Sequence, residues 1–368
     1  MKWSWKLGEV YGIGIYMHVT FLLLLAWVGL SHWLAWGSLE AAIIGVTFIL
    51  MLFGCVVLHE LGHSLAARKY GIRTRDITLL PIGGVARLER MPEEPIQEFW
   101  VALAGPSVNV VLAIAIYLWL SFTEALQPIS QIGLLTGSLL ERLMVVNVFL
   151  ALFNLLPAFP MDGGRVVRAL LAMRMDYTRA TNIAAALGQG MALLFGFLGL
   201  FTNPLLVFIA LFVWIGAAQE ATMVQVKSAL GGIPVSKAMI TDFKTLSPYD
   251  RLSRSVDLIL AGSQQDFPVV DNGNLVGVLT RDALLASLAR QGLDAFVSDV
   301  MERDFQTVDS HDMLESAFAQ IENCACRTIP VVHGGQLVGL LTKDNVGEFL
   351  MIQAALGDRA ERTRGGIV

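Results

Sequence analysis

One stretch, residues 41–67 (AAIIGVTFILMLFGCVVLHELGHSLAA), constrains this chain more than any other. It is apolar for long enough to cross a bilayer as a helix, which takes about 20 residues. Yet its second half carries His59, Glu60 and His63. Histidines four positions apart stand one above the other on a helix face, so both imidazoles can reach one metal ion. The Glu beside them can then act as general base on a water held there. The alternative is a helix end whose polar groups reach out to the membrane interface. Ionisable residues inside a span are costly and usually functional, which favours the metal reading.

Composition agrees with a membrane domain joined to a soluble one. The chain has 368 residues, 55% hydrophobic and only 15% charged, too apolar for an ordinary soluble protein. A net charge of −5 gives no sign of a nucleic-acid partner. The three cysteines are Cys55, inside an apolar run, and the C-x-C pair Cys324 and Cys326. A C-x-C pair is poorly disposed for a disulfide, so free thiols in a reducing compartment are expected.

Taken in order, the chain predicts six transmembrane helices: residues 17–36, 41–68, 99–122, 138–159, 183–201 and 204–224. Residues 7–19 read as an extended segment ahead of the first. Leu79 to Val85 is apolar but short and broken by Pro81, Gly83 and Gly84, which predicts a re-entrant or interfacial loop. Pro106 should kink the third span, and Asn109 can hydrogen-bond a neighbour. Lys and Arg gather before the first span and after the second, fourth and sixth, and the other three connections carry none. That asymmetry predicts a multi-pass protein with both termini in the cytoplasm.

His59 and His63 then end the second span on the cytoplasmic side, and Asp162 leaves the fourth span at matching depth. A zinc ion held by two histidines needs a third protein ligand and an open position. Pro157 and Pro160 free the chain to bend inward, and Gly163 and Gly164 permit a tight backbone. Zn²⁺ with ionised Asp162 and Glu60 sums to zero charge, which lowers the cost of burial. A competing role for Asp162 is the N-cap of a short helix starting near Gly163.

Together these residues resemble the site-2 protease family of intramembrane zinc metalloproteases. The resemblance rests on His59-Glu60-Leu61-Gly62-His63, Pro81-Ile-Gly-Gly84, Ala104-Gly-Pro-Ser-Val-Asn109, and Asn154-x-x-Pro157-x-x-Pro160-x-Asp162-Gly163. It implies zinc at His59, His63 and Asp162, Glu60 as the group that activates water, and Asn154 positioning or polarising the substrate carbonyl. It also implies a loop around Gly83 and Gly84 that holds an unwound substrate as a strand. The substrate would be a membrane-embedded or membrane-tethered protein. A cytoplasmic tail and the lack of a PDZ-type insertion look like the branch related to the sporulation factor protease.

Beyond residue 224 the pattern changes. Residues 225–235 read as a linker, and the remainder repeats one unit at an offset of about 62 residues. Phe267-Pro-Val-Val270 matches Ile329-Pro-Val-Val332, and Leu275-Val-Gly-Val-Leu-Thr-Arg-Asp282 matches Leu337-Val-Gly-Leu-Leu-Thr-Lys-Asp344. This resembles a tandem of α/β CBS domains, 236–290 and 298–354, following a protease domain at 1–224. The resemblance implies an adenine nucleotide such as ATP or AMP as regulatory ligand, contacted by Thr280, Asp282, Thr342 and Asp344, and a module through which chains can self-associate. Caps for the following helices are the plainer role for Asp282 and Asp344. A CBS-regulated transporter or channel is the alternative for the whole chain. It should show internal repeats among its spans and a charged midplane site, and the sequence has neither.

Overall fold

The computed structural model describes residues 3–89, 92, 94–123, 137–324 and 326–365. Lys2 and Arg90, two of the basic residues flanking the expected spans, and residues 124–136 in the connection after the third lie outside the described residues. Two compact units emerge, Met1–Val224 and Gln225–Val368.

The first unit opens as a hairpin, β1 (Ser4–Val10) and β2 (Ile13–His18), turning at Tyr11 and Gly12, both with positive φ. Two apolar helices, α1 (Val19–Trp36) and α2 (Leu39–Lys69), then carry the chain to β3 (Thr74–Leu80) and β4 (Gly83–Leu88). β3 pairs in parallel with β2, Ile15 opposite Ile77, so the sheet order is β1-β2-β3-β4 with β4 at an edge. The expected extended segment at 7–19 is thus half of a sheet. The segment expected as a re-entrant or interfacial loop forms the tip of the β3–β4 hairpin. Its backbone groups are met by strand pairing, Leu79 opposite Gly84 and Leu80 opposite Gly83.

The remaining helices are α3 (Pro95–Phe122), α4 (Leu139–Asn154), α5 (Asp162–Ala172), α6 (Tyr177–Phe201) and α7 (Pro204–Leu230). Their starts are legible. Pro95 occupies the first turn of α3, Ser138 and Glu141 form a capping box on α4, and Asp176 caps α6. Among the described residues, five helices are long and apolar enough to span: α1, α2, α3, α6 and α7. The remaining expected span, 138–159, is represented by α4, which is shorter than expected. It has 16 residues, about 24 Å at 1.5 Å per residue, because Pro157 removes a helical donor and biases Leu156 away from helix. The apolar run continues to Phe159 as a turn.

The polarity of this unit is inverted. Leu23, Trp27, Leu34 and Phe208 are exposed, while Asn109, Asn147, Glu98 and Arg168 are buried. Arg168 on α5 donates from Nε to Glu98 Oε1 of α3 at 2.8 Å and from a terminal nitrogen to Glu220 of α7. This triad, buried at Arg168 and Glu98 and half-buried at Glu220, ties α5 to two spans.

In the second unit the repeat is structural. α8 (Leu252–Ala261), β5 (Phe267–Asp271), β6 (Asn274–Leu279) and α9 (Arg281–Gln291) are followed by β7 (Val308–Asp309), α10 (Leu314–Asn323), β8 (Thr328–His333), β9 (Gln336–Thr342) and α11 (Lys343–Gly365). The repeats interlock reciprocally. Ile240 bridges to Leu340, and Glu302, 62 positions on from Ile240, bridges to Val278, 62 positions back from Leu340. Each repeat has its own core, around Leu252, Phe267 and Leu279 in one and Leu314, Ile329 and Leu341 in the other. Against expectation, Cys324 and Cys326 are joined as a disulfide; their Cα atoms stand 5.1 Å apart, within the span such a bond bridges.

Candidate active site

α2 presents His59 and His63 on one face, as the i, i+4 spacing requires, with their Nε2 atoms 3.1 Å apart. The turn from Leu155 to Met161 brings Asp162 to the same point. Its Oδ2 lies 3.3 Å from His59 Nε2 and 3.1 Å from His63 Nε2. All three side chains are buried. The N-cap of α5 is Met161, so Asp162 is the first helical residue and its carboxylate is turned to the histidines.

The far side of each ring settles what the near side offers. His63 Nδ1 lies 2.7 Å from the Val101 carbonyl, which can only accept, so that nitrogen carries a proton. His59 Nδ1 meets Asn109 Oδ1, whose amide is oriented because its Nδ2 donates to Asn147 Oδ1 at 2.9 Å. Asn147 Nδ2 in turn donates to the Leu143 carbonyl at 2.9 Å. With Nδ1 holding the proton, each imidazole in its neutral form points a bare Nε2 lone pair at a carboxylate oxygen. Three converging acceptors call for a cation between them. Ligand atoms bound at about 2.0–2.1 Å in a tetrahedron stand about 3.3 Å apart, which fits the observed triangle of 3.1, 3.1 and 3.3 Å. Two nitrogens and one carboxylate, each backed by a hydrogen bond or a buried scaffold, are a zinc donor set with an open fourth position.

Small residues make the close approach possible. A Cβ on Gly105 would stand 2.7 Å from His59 Nε2 and nearer still to His63 Nε2. A Cβ on Gly62 would stand 2.9 Å from the Ala104 carbonyl oxygen. The Gly-Pro break inside the third apolar run is where α3 makes room for the two imidazoles.

A cavity of about 530 Å³ opens at this point, lined by His59, Glu60, His63, Asp162, Asn154 and the β4 residues Gly83 to Ala86. The structure thus brings all the protease-type residues singled out above into one space. Gly84 packs directly on the general-base candidate, since a Cβ there would stand 3.0 Å from Glu60 Cγ. Asn154 closes α4 at the wall and donates from Nδ2 to the Leu150 carbonyl at 3.0 Å. Among the described residues, β4 pairs within the sheet only with β3, so an unpaired backbone edge borders the cavity.

The CBS-type residues divide. Thr342 and Asp344 line a cavity of about 950 Å³ in the second unit, together with Asp266, Arg281, Thr328 and Lys343. Thr280 and Asp282 are not among its lining residues. Thr280 accepts from Ala283 N as the cap of α9 and donates to Glu302 Oε1 at 3.0 Å. Asp282 is exposed.

Sequence reasoning missed Asn147, Val101 and the Glu98–Arg168 pair. An Asn in the middle of an apolar run was a usable signal for the first. The Val101 acceptor is backbone and leaves no mark in the sequence.

Residues 47–136 and 127–197 match Peptidase family M50, and residues 235–290 and 297–351 match the CBS domain. A zinc metalloprotease of Methanocaldococcus jannaschii is 34% identical over 348 residues, covering 94% of this chain and 96% of that protein. Stage IV sporulation protein FB of Bacillus subtilis is 29% identical over 158 residues, 43% of this chain and 51% of its own. Among solved structures, the site-2 protease from Methanocaldococcus jannaschii aligns at 39% identity with a TM-score of 0.44, covering 60% of this chain and 95% of its own.

Proposed function

The chain belongs to peptidase family M50 as a multi-pass site-2 type zinc metalloprotease with a CBS pair, and on that premise we propose that it cuts membrane-embedded or membrane-tethered proteins within or beside a transmembrane segment. The observation that carries this is the buried triangle of His59, His63 and Asp162 at the end of a spanning helix, opening on a cavity bordered by a strand edge.

His59, His63 and Asp162 would hold zinc, which would supply a Lewis acid able to make a water nucleophilic near neutral pH. Glu60 takes the proton of the attacking water and returns it to the leaving amine. Asn154 directs an amide N–H at the scissile carbonyl oxygen, where negative charge develops. A transmembrane helix hides its carbonyls in its own hydrogen bonds and must unwind before it can be cut. The free edge of β4 at Gly83 and Gly84 replaces those bonds by accepting the unwound segment as an added strand.

α4 makes a short sixth crossing, which puts both termini in the cytoplasm. The CBS pair takes an adenine nucleotide in the cavity lined by Thr342 and Asp344, with Arg281 and Lys343 balancing phosphate charge. Nucleotide binding alters cleavage to the extent that affinity differs between active and inactive forms.

The test is reconstitution of the purified full chain in vesicles with a single-span substrate. Cleavage is expected to stop when a chelator removes zinc and to return on zinc addition. It is expected to be absent in Asp162→Ala. Chelator-resistant cleavage would overturn the reading.

A further inference from the structure

A second cluster of metal-ligand type stands apart from the membrane site. The chain has 6 histidines, and two of them, His311 and His333, fall in the CBS unit. They are separated by a helix and a strand in sequence, yet their rings lie 4.8 Å apart between centres, tilted by 45°. Asp309 completes the group, and one ligand atom from each residue lies within 4.8 Å of the others. The fold explains the meeting. Asp309 ends β7 and His333 ends β8, and these strands pair in parallel with Asp309 opposite Val332.

The turn between is ordered around the same residues. His311 N donates to Asp309 Oδ1 at 2.9 Å, and His311 Nδ1 lies 3.2 Å from that oxygen. Ser310 Oγ sits 3.3 Å from both imidazole Nδ1 atoms. Nothing in the repeat demands this arrangement. At the 62-residue offset, the first repeat has Ser247, Tyr249 and Asp271 and still makes the matching hairpin, with a single Leu246–Val269 bridge where β7 pairs β8.

The turn also has a second hold. Ser236 N donates to the Ser310 carbonyl at 2.9 Å, Val235 N to the Asp312 carbonyl at 2.9 Å, and Leu314 N to the Ile233 carbonyl at 2.7 Å. Residues 233–236, by which the chain enters the CBS unit after α7, are therefore fastened to the segment that carries the ligands.

We propose that Asp309, His311 and His333 form a second site for a divalent transition-metal ion of the zinc type, and that metal there stiffens the turn holding residues 233–236. Two imidazoles and one carboxylate suit Zn²⁺, Ni²⁺ or Cu²⁺ and serve Mg²⁺ and Ca²⁺ poorly. His311 and His333 are exposed and Asp309 is half-buried, so the rings are free to close to the separation of about 3.3 Å that zinc bonds require. The same exposure makes this the weaker and more readily exchanged of the two sites.

The experiment uses the untagged full chain, depleted of metal and dialysed in detergent against micromolar Zn²⁺. Wild type is expected to hold about two zinc ions, and His311→Ala with His333→Ala about one, with Asp162→Ala keeping only the CBS ion. Hydrogen exchange at residues 233–236 is expected to slow on zinc addition in wild type and Asp162→Ala, and to be unchanged in the double variant. Equal zinc content in wild type and the double variant would overturn the site. A full second ion with no slowing at 233–236 would overturn its action on the turn.

Discussion

Asn147 accepts a hydrogen bond from Asn109 Nδ2 at 2.9 Å, and that bond decides which atom Asn109 turns toward His59. Both asparagines are fully buried, one on α3 and one on α4. With its nitrogen committed, Asn109 offers only oxygen to His59, which fixes the proton on Nδ1 and leaves Nε2 bare for metal. Replacing Asn109 with Leu should weaken zinc retention by about 10- to 100-fold, the usual effect of losing such a supporting bond. Asn109→Asp keeps the acceptor and should retain more zinc than Asn109→Leu. Chelator competition on the purified proteins measures both.

Gly105 offers a sharper separation of folding from metal binding. Ala is the better helix former by about 0.8–1 kcal/mol, so Gly105→Ala should not unfold α3. Its Cβ would stand 2.7 Å from His59 Nε2, so the imidazoles must shift. Zinc content and cleavage should fall together while helical content and thermal stability hold. Metal analysis beside circular dichroism checks this.

Arg168 should behave in the opposite way. Arg168→Met leaves Glu98 buried without its cation. Breaking a buried ion pair from one side costs about 3–5 kcal/mol. Adding Glu98→Gln and Glu220→Gln to the same chain should recover much of the loss. Thermal unfolding in detergent compares the single and triple variants.

In the CBS unit the expected effect is asymmetric. Thr342→Val with Asp344→Ala alters the wall of the 950 Å³ cavity, whereas Thr280→Val with Asp282→Ala alters a helix cap outside it. Calorimetry with AMP or ATP on the full chain should show at least about tenfold weaker binding in the first pair, as when a charge-assisted contact is lost. The second pair should remain close to wild type.

Much of the site was legible because its determinants are local. The four-residue spacing of His59 and His63 is a property of one helix, and the prolines at 157 and 160 announce that the chain stops being helical before Asp162. The offset of 62 residues was likewise visible, down to the strands it generates. What was not legible depends on distant pairing. Hydropathy runs to Phe159, but only the packed turn shows that α4 ends at Asn154. Gly83 and Gly84 read as a loop because the parallel pairing of β2 with β3 crosses two intervening helices. Arg168 reads in sequence as one more basic residue flanking a span, because its partner Glu98 lies 70 positions away.

The central claim is that Glu60 moves protons and His59, His63 and Asp162 hold zinc. Its most direct test is the Glu60→Gln variant, assayed for both zinc content and cleavage of a transmembrane substrate. The account predicts about one zinc ion retained in the membrane unit and cleavage reduced at least about a hundredfold, the range for loss of a general base. Cleavage at near wild-type rate with zinc retained would contradict it.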